Sequence, residues 1–193
     1  MAGLIIVSII FYAVTRLCSH SPDGPPEASQ GARPTVHRYE QAGIINMQSG
    51  QYAEAVVEFQ KFIQIEPNNF EGRLLLANSY KAIGKYQLAL THLKKAVELE
   101  PNNFDANWNV GHAYLHTNDY ENTLKHFKKA AELEPNHFGA SSMIGHVYLD
   151  TDRFKEAIEQ FEKSLTIPSD NHGAVEDTKR GLQRARYMEN GEK

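Results

Sequence analysis

The sequence predicts an all-α fold: an α-solenoid of four helix–turn–helix repeats that ends in a capping helix and follows a hydrophobic N-terminal anchor. Three observations support this prediction. The segments Glu-Pro-Asn-Asn-Phe and Glu-Pro-Asn-His-Phe recur with prolines at 67, 101 and 135, a constant interval of 34 residues. Apolar residues between these prolines are three or four apart, as on one face of a helix. The first 18 residues carry one charged side chain, Arg16.

Residues 1–18 are predicted to be an uncleaved membrane anchor. A cleaved signal peptide would need a basic start and a small-residue cleavage site, and Pro22 would hinder cleavage after the best candidate, residues 19–21. A lipoprotein signal would need small residues before Cys18, where residues 15–17 are Thr-Arg-Leu. The segment is short for a full membrane span, which needs about 20 residues.

The arginines predict the orientation of this anchor. Arg16, Arg33 and Arg38 lie at or beyond the end of the segment, and only the terminal amine precedes it. The positive-inside tendency therefore favours a single-pass anchor with a cytoplasmic repeat domain, and a periplasmic domain is the alternative. Residues 19–34 hold four of the eight prolines and show no periodicity, which predicts a linker.

The repeat domain is predicted to span residues 35–170. Its units are 36–69, 70–103, 104–137 and 138–170. Each unit ends near a proline, which cannot continue a helix and disfavours helix at the residue before it. A second break falls inside each unit, at residues 49–50, 84, 118–119 and 151–152. Each unit is therefore predicted to be two helices joined by a short turn.

Equivalent positions of the units pair a small residue with a large one. The eighth position holds Gly43, Ala77, Gly111 and Gly145, and the twenty-fourth holds Phe59, Leu93, Phe127 and Phe161. Helices approach closely where a small residue faces a large one. These pairs are expected to interlock the two helices of each unit.

This pattern resembles the tetratricopeptide repeat, a helix–turn–helix unit with a small residue at position 8, tyrosine at 11, alanine at 20 and 27, an aromatic residue at 24 and proline at 32. The resemblance covers residues 36–170 and implies a right-handed solenoid. There are departures from the family pattern. Pro168 comes one residue early, and Trp108 stands at position 5 instead of position 4. The first unit has Asn46 for the aromatic residue and Phe62 for the second alanine.

Residues 171–190 show no repeat register and are predicted to form the capping helix. A narrow stripe is expected to face the last repeat: Ala174, Thr178, Leu182, Ala185 and Met188. The remaining face is basic, with Lys179, Arg180, Arg184 and Arg186. This basic face is interpreted as a solvated surface rather than a binding patch.

The resemblance implies a binding surface. In the family, the first helix of each unit lines a concave groove that takes peptides or partner helices. The predicted groove residues are Glu40, Ile44, Met47, Glu71, Leu74, Asn78, Lys81, Asp105, Trp108, Asn109, His112, Leu115 and His146. Their mixed apolar and acidic character predicts a protein or peptide partner with apolar anchors and some basic charge. Trp108 would anchor that partner, and the alternative is that it packs between helices.

One version of the family grips a C-terminal carboxylate with two asparagines and a set of cations. Asn78 and Asn109 occupy the asparagine positions. Leu74, Gly139 and Met143 stand where the cations should be. Without cations the charge-assisted hydrogen bonds are lost, so binding of that kind of tail is not expected.

Two histidines, His112 and His146, occupy the same groove position in adjacent units. They suggest a metal or pH-sensing site. A third ligand is not evident in the sequence, so the preferred interpretation is two hydrogen-bonding rings in a polar groove, with no metal and no cofactor.

Composition excludes other function classes. The net charge of −4 provides no cluster of cations for nucleic acid. The single cysteine excludes an intrachain disulfide. No phosphate-binding glycine loop, zinc-protease motif or nucleophile elbow is present, so the protein is not expected to be an enzyme.

The resulting prediction is a membrane-tethered protein–protein interaction scaffold. Three alternatives stay open: a periplasmic assembly factor for a pilus, secretion or respiratory complex; a self-assembling coat protein of an organelle such as a magnetosome; and a histidine-based metal or ligand binder. Self-association through either face of the solenoid is compatible with the sequence.

Overall fold

A computed structural model describes residues 33–191, which form nine α-helices and no strand. The helices are α1 (Arg33–Gln48), α2 (Tyr52–Ile65), α3 (Phe70–Ala82), α4 (Tyr86–Leu99), α5 (Phe104–Leu115), α6 (Tyr120–Leu133), α7 (Phe138–Asp150), α8 (Phe154–Leu165) and α9 (His172–Glu189). The predicted all-helical class is confirmed.

The predicted anchor at 1–18 lies outside the described residues. Among residues 33–191, no helix combines the length and the apolar character that a membrane span requires. Helix α1 begins at Arg33, inside the segment predicted to be a linker. Pro34 is tolerated there because the first turn of a helix has no internal partner for that backbone nitrogen.

The helices pair in sequence order. Helices α1, α3, α5 and α7 are the first helices of the four units, and α2, α4, α6 and α8 are the second helices. The turn inside each unit contains one residue with positive φ: Gly50 (74°), Gly84 (74°), Asn118 (57°) and Asp152 (57°). Glycine, asparagine and aspartate adopt this conformation more readily than other residues, so these turn residues define the break.

The recurring Glu-Pro-Asn segment stops one helix and starts the next. Proline follows the last turn of the second helix, and the residue two positions later caps the first helix of the next unit. Asn69 Oδ1 accepts a hydrogen bond from the Gly72 backbone N–H at 2.8 Å, and Asn103 Oδ1 accepts one from Ala106 at 3.1 Å. His137 fills the same role for α7 through Nδ1. The segment recurs because every junction between units needs this stop and this cap.

The predicted small–large pairs interlock the helices of each unit. A Cβ atom added at Gly43, Gly111 or Gly145 would lie 2.5, 2.5 or 2.7 Å from the paired phenylalanine ring. These rings, Phe59, Phe127 and Phe161, are fully buried. In the second unit the pair is Ala77 and Leu93, and both are fully buried. Alanine is larger than the glycine of the other units, and leucine is smaller than their phenylalanine.

We expect Gly111→Ala to lower the free energy of unfolding by about 1–2 kcal/mol. The added methyl group would overlap the Phe127 ring, which costs about 1–3 kcal/mol, and the better helix propensity of alanine returns up to about 1 kcal/mol. Adding Phe127→Leu reproduces the Ala77–Leu93 pair of the second unit. The double variant should therefore be more stable than the sum of the two single effects. Denaturant unfolding of all four proteins measures this coupling, and strict additivity would contradict it.

The described array bends towards its first helices. Helices α3 and α5 pack directly against each other, and so do α7 and α9, whereas no two second helices between residues 33 and 191 pack to the same extent. The first helices therefore lie on the concave side. The second helices spread apart on the convex side.

Helix α9 covers the last unit. A Cβ atom at Gly181 would lie 2.7 Å from the Phe161 ring. The Thr178 and Ser142 hydroxyls are hydrogen-bonded at 2.7 Å, and Ala185 is fully buried. The predicted stripe is wrong at Met188, which is 43% exposed because it lies in the last turn of α9. The stripe also omitted Gly181.

The basic face of α9 is exposed and paired. Lys179 and Arg180 contact Glu176 and Asp177 on the same helix, at 2.7 and 3.1 Å. Arg186 contacts Glu162 of α8 at 2.6 Å. Three of the four cations of this face therefore pair with carboxylates of the protein itself.

Candidate functional site

The candidate site is the concave face of the first helices. Of the thirteen predicted groove residues, three are nearly buried: Met47 (7% exposed), Leu74 (9%) and Asn109 (6%). Asp105 is exposed, and the remaining nine are intermediate: Glu40, Ile44, Glu71, Asn78, Lys81, Trp108, His112, Leu115 and His146. The buried members form part of the floor, and the others offer the surface that a partner would meet.

A polar contact joins α3 to α5 in the middle of this face. Lys81 Nζ, in the last turn of α3, donates a hydrogen bond to Asn109 Oδ1 of α5. Asn109 Nδ2 donates in turn to the backbone carbonyl of Asp105 at 2.8 Å. Asn109 therefore has a fixed orientation, with its oxygen towards Lys81. This contact links residues of two adjacent units.

Lys81 is a largely desolvated cation. Burial lowers the pKa of Lys81 to about 8. No carboxylate within residues 33–191 forms an ion pair with it. Its hydrogen-bond acceptor, Asn109 Oδ1, is a neutral amide oxygen. Such an amide does not compensate a positive charge as a carboxylate would.

Two neutral side chains lie on the same face. Asn78, one turn before Lys81 on α3, is half-buried, and its amide has no hydrogen-bond partner in the described part of the chain. The pKa of His112 is lowered to about 3, first by burial and then by the charges of Lys81 and His116. His112 is therefore neutral at pH 7.

Trp108 is packed on several sides. Its ring centroid lies 5.8 Å from that of Phe104, 4.5 Å from His112, 5.1 Å from Phe127 and 5.3 Å from His137. The indole therefore joins α5 to α6 and to the start of α7, and part of it stays accessible. Both predicted roles, packing between helices and contact with a partner, are compatible with this position.

Asp105 is the acidic residue at the start of α5. Desolvation raises the pKa of its carboxyl, and the nearby His137 opposes this shift. No lysine or arginine among residues 33–191 pairs with the carboxylate. It can therefore accept a cationic group from a partner.

The two groove histidines have different surroundings. His146 Nε2 lies 3.3 Å from Asp177 Oδ2 of α9, and burial lowers the pKa of His146 although Asp177 and Asp150 oppose the shift. His112 contacts aromatic rings instead. In the part of the chain from 33 to 191, no three His, Cys, Asp or Glu side chains are grouped so that they could hold a metal ion.

Sequence reasoning missed His137 as part of this surface. His137 caps α7 and packs against both Trp108 and Phe104, with centroid distances of 5.3 and 4.6 Å. Its position, 34 residues after the cap Asn103, was the available signal. The Lys81–Asn109 contact was also missed, although both residues were predicted individually.

Comparisons with known proteins agree with this architecture. The family described as "Tetratricopeptide repeat" matches residues 36–69, 104–137 and 140–171, more than half of the chain. A second family, "TPR repeat", matches residues 77–117. No curated protein sequence matches the chain.

Solved structures share the fold. The crystal structure of MamA protein is 23% identical, with 81% of this chain and 92% of that chain covered and a TM-score of 0.68. A MamA structure from Desulfovibrio magneticus RS-1 is 18% identical, covers 81% and 96%, and has a TM-score of 0.67. YrrB, described as a TPR protein with an unusual peptide-binding site, is 24% identical, covers 79% and 78%, and has a TM-score of 0.70.

Proposed function

The chain belongs to the tetratricopeptide-repeat family, and from this premise we propose that it is a non-catalytic interaction scaffold. In this proposal, residues 1–18 tether the protein to a membrane. The concave groove holds a segment of a partner protein. Proteins of this family bind peptide or protein partners. The side chains at the centre of the groove support this proposal. Within residues 33–191, the Asn78 amide has no hydrogen-bond partner and the Lys81 cation has no counter-charge, and Trp108 offers an apolar surface on the same face.

The proposed partner segment is extended or helical and has apolar anchors. Trp108 and Leu115 provide partly exposed apolar surface on α5. The carboxylate of Asp105 pairs with no lysine or arginine among residues 33–191 and favours a basic residue of the partner at that end of the groove. YrrB, a protein of similar fold, is described as having a peptide-binding site, which supports a peptide as the ligand of this chain.

A photo-crosslinking amino acid at position 105 tests the groove. Glu121 provides a matched control because both residues are exposed acidic side chains in the second position of a helix, α5 for Asp105 and α6 for Glu121. We expect the full chain in its native membrane to give an adduct with another protein from position 105 and none from position 121. Equal adducts from both positions contradict the groove. Adducts between copies of this chain alone would favour self-assembly instead.

The membrane tether is tested separately. The full chain should sediment with membranes, and a variant without residues 1–18 should not. Protease added to intact vesicles then distinguishes a cytoplasmic repeat domain from a periplasmic one. Release of the full chain by high salt would contradict an apolar anchor.

A further inference from the structure

We propose that Lys81 is the receptor for a carboxylate group of the partner segment, with Asn109 and Asn78 as the neutral groups beside it. This proposal rests on the groove function proposed above and names the chemistry that the partner must present. It adds an anionic requirement to a partner that the sequence predicted to be apolar and partly basic.

Lys81 has no carboxylate as a counter-charge within residues 33–191. Several cations among residues 33–191 form ion pairs with a carboxylate, including Lys61, Lys95, Lys179, Arg153, Arg180 and Arg186. All of these are side chains with at least 41% exposure, where an ion pair contributes little. Lys81 is the reverse case: it is the more deeply placed cation, and its hydrogen bond goes to an amide. A desolvated cation without a counter-charge is costly, and an incoming anion would offset that cost.

Lys81 has hydrogen-bond donors that Asn109 does not use. An ammonium group has three donors, and Asn109 Oδ1 accepts one of them. Asn109 Nδ2 donates a hydrogen bond to the Asp105 carbonyl. The Asn109 amide would lose this hydrogen bond if it rotated to offer its N–H groups to a ligand of Lys81. The Asn78 amide on the same helix is uncommitted in the described part of the chain and can donate to the same ligand.

The single positive charge of Lys81 favours a ligand with a single negative charge. Within residues 33–191, Lys81 is the cation at this point of the groove, because His112 is neutral at pH 7. A single cation with amide donors matches a singly charged carboxylate. A phosphate group carries up to two charges at neutral pH and would leave one of them uncompensated. The carboxylate could belong to an Asp or Glu side chain or to a C-terminus.

Lys81 is distinct from the positions at which family members that bind C-terminal tails place their cations. Those positions hold Leu74, Gly139 and Met143 here. The proposed receptor therefore lies one turn beyond Asn78, at the C-terminal end of α3.

The test is a selection from a peptide library with the full chain in mild non-ionic detergent. One arm uses ten-residue peptides that are acetylated and amidated, and the second arm uses peptides with a free C-terminus. We expect the parent to enrich Asp or Glu over Asn or Gln at one position by about tenfold, as a charge-assisted hydrogen bond predicts. Enrichment in the amidated arm assigns a side-chain carboxylate, and enrichment confined to the other arm assigns the C-terminus.

Two variants separate the outcomes. Lys81→Met should still retain peptides through their apolar residues but lose the preference for acids, and Lys81→Arg should keep it. Peptides that bind with no acidic preference, or with a preference that persists in Lys81→Met, overturn the Lys81 proposal and leave the groove function standing. Failure of all three proteins to retain any peptide overturns both.

A second readout does not depend on selection. The pKa of Lys81, followed by NMR of its side chain, should rise from about 8 when a selected acidic peptide is added. The Gln-for-Glu version of that peptide should leave it unchanged. Circular dichroism should show that Lys81→Met remains folded, since the change removes a desolvated charge.

Discussion

Phe161→Ala is expected to lower the free energy of unfolding by about 3–5 kcal/mol. The Phe161 ring is fully buried between three helices. It meets Gly145 of α7 and Gly181 of α9, where an added Cβ would come within 2.7 Å of the ring. Neither glycine has a side chain that could fill the cavity. The loss should therefore include both the burial of the ring and the undocking of α9.

Urea unfolding of the full chain, followed by circular dichroism, measures this effect. Phe161→Leu provides a graded comparison, since Leu93 fills the equivalent position in the second unit, and it should cost less. Glu159→Ala, an exposed change on the same helix, should stay within about 0.5 kcal/mol of the parent. A loss below 1 kcal/mol for Phe161→Ala would show that α9 does not depend on this ring.

Acidification from pH 7 to pH 5 is expected to destabilise the fold, and His112 should account for about 2 kcal/mol of the loss. Burial lowers the pKa of His112 to about 3, whereas an unfolded histidine titrates near 6.5. The stability from the neutral ring is complete above pH 6.5 and is lost as pH falls towards 3. Burial also lowers the pKa values of four other histidines, which adds to the same slope: His92, His126, His137 and His146.

His112→Gln should flatten this pH dependence. The free energy of unfolding would be compared at pH 7 and pH 5 in the parent, in His112→Gln and in His172→Gln, an exposed histidine at the start of α9. The last variant should behave as the parent does. If the parent and His112→Gln lose the same free energy of unfolding between pH 7 and pH 5, the His112 ring is solvated in the fold. Asp105 acts in the opposite direction at lower pH, since its pKa is raised in the fold.

The helices and their interlocking pairs could be predicted from sequence because their causes are local. Proline ends a helix, and a residue such as Gly50 or Asn118 allows a positive φ, whatever the rest of the chain does. The spacing of Gly111 and Phe127 recurs in every unit, so the repeat itself showed that these positions face each other.

Polar side-chain contacts were harder to predict because each depends on the residue types at two positions that the repeat pattern does not specify. In the third unit, His126 Nδ1 lies 3.1 Å from Asn107 Oδ1 and donates a hydrogen bond to it when the proton is on Nδ1. His92, the equivalent of His126, has a buried Nδ1 with no partner in the described residues because Arg73 stands where the third unit has Asn107. A different residue at one position of a unit therefore removes such a contact without altering the repeat pattern.

The candidate groove shows the same limit. Its members were predicted from repeat position, but the depth of each side chain was not. Met47, Leu74 and Asn109 are nearly buried, while Asp105 is exposed, although all four were assigned to one surface. Depth determines the electrostatics, since desolvation is the main cause of the lowered pKa of Lys81.

The order of helix contacts also has a consequence for how the chain folds. Among residues 52–189, every pair of helices with substantial packing is adjacent in sequence or separated by one helix. No long loop has to close before a stabilising contact forms, so the repeat domain is expected to fold rapidly for its length. Folding can nucleate at any junction between units and spread to its neighbours. Hydrogen exchange should accordingly reveal opening unit by unit, with the greatest protection in the central helices and the least at the two ends.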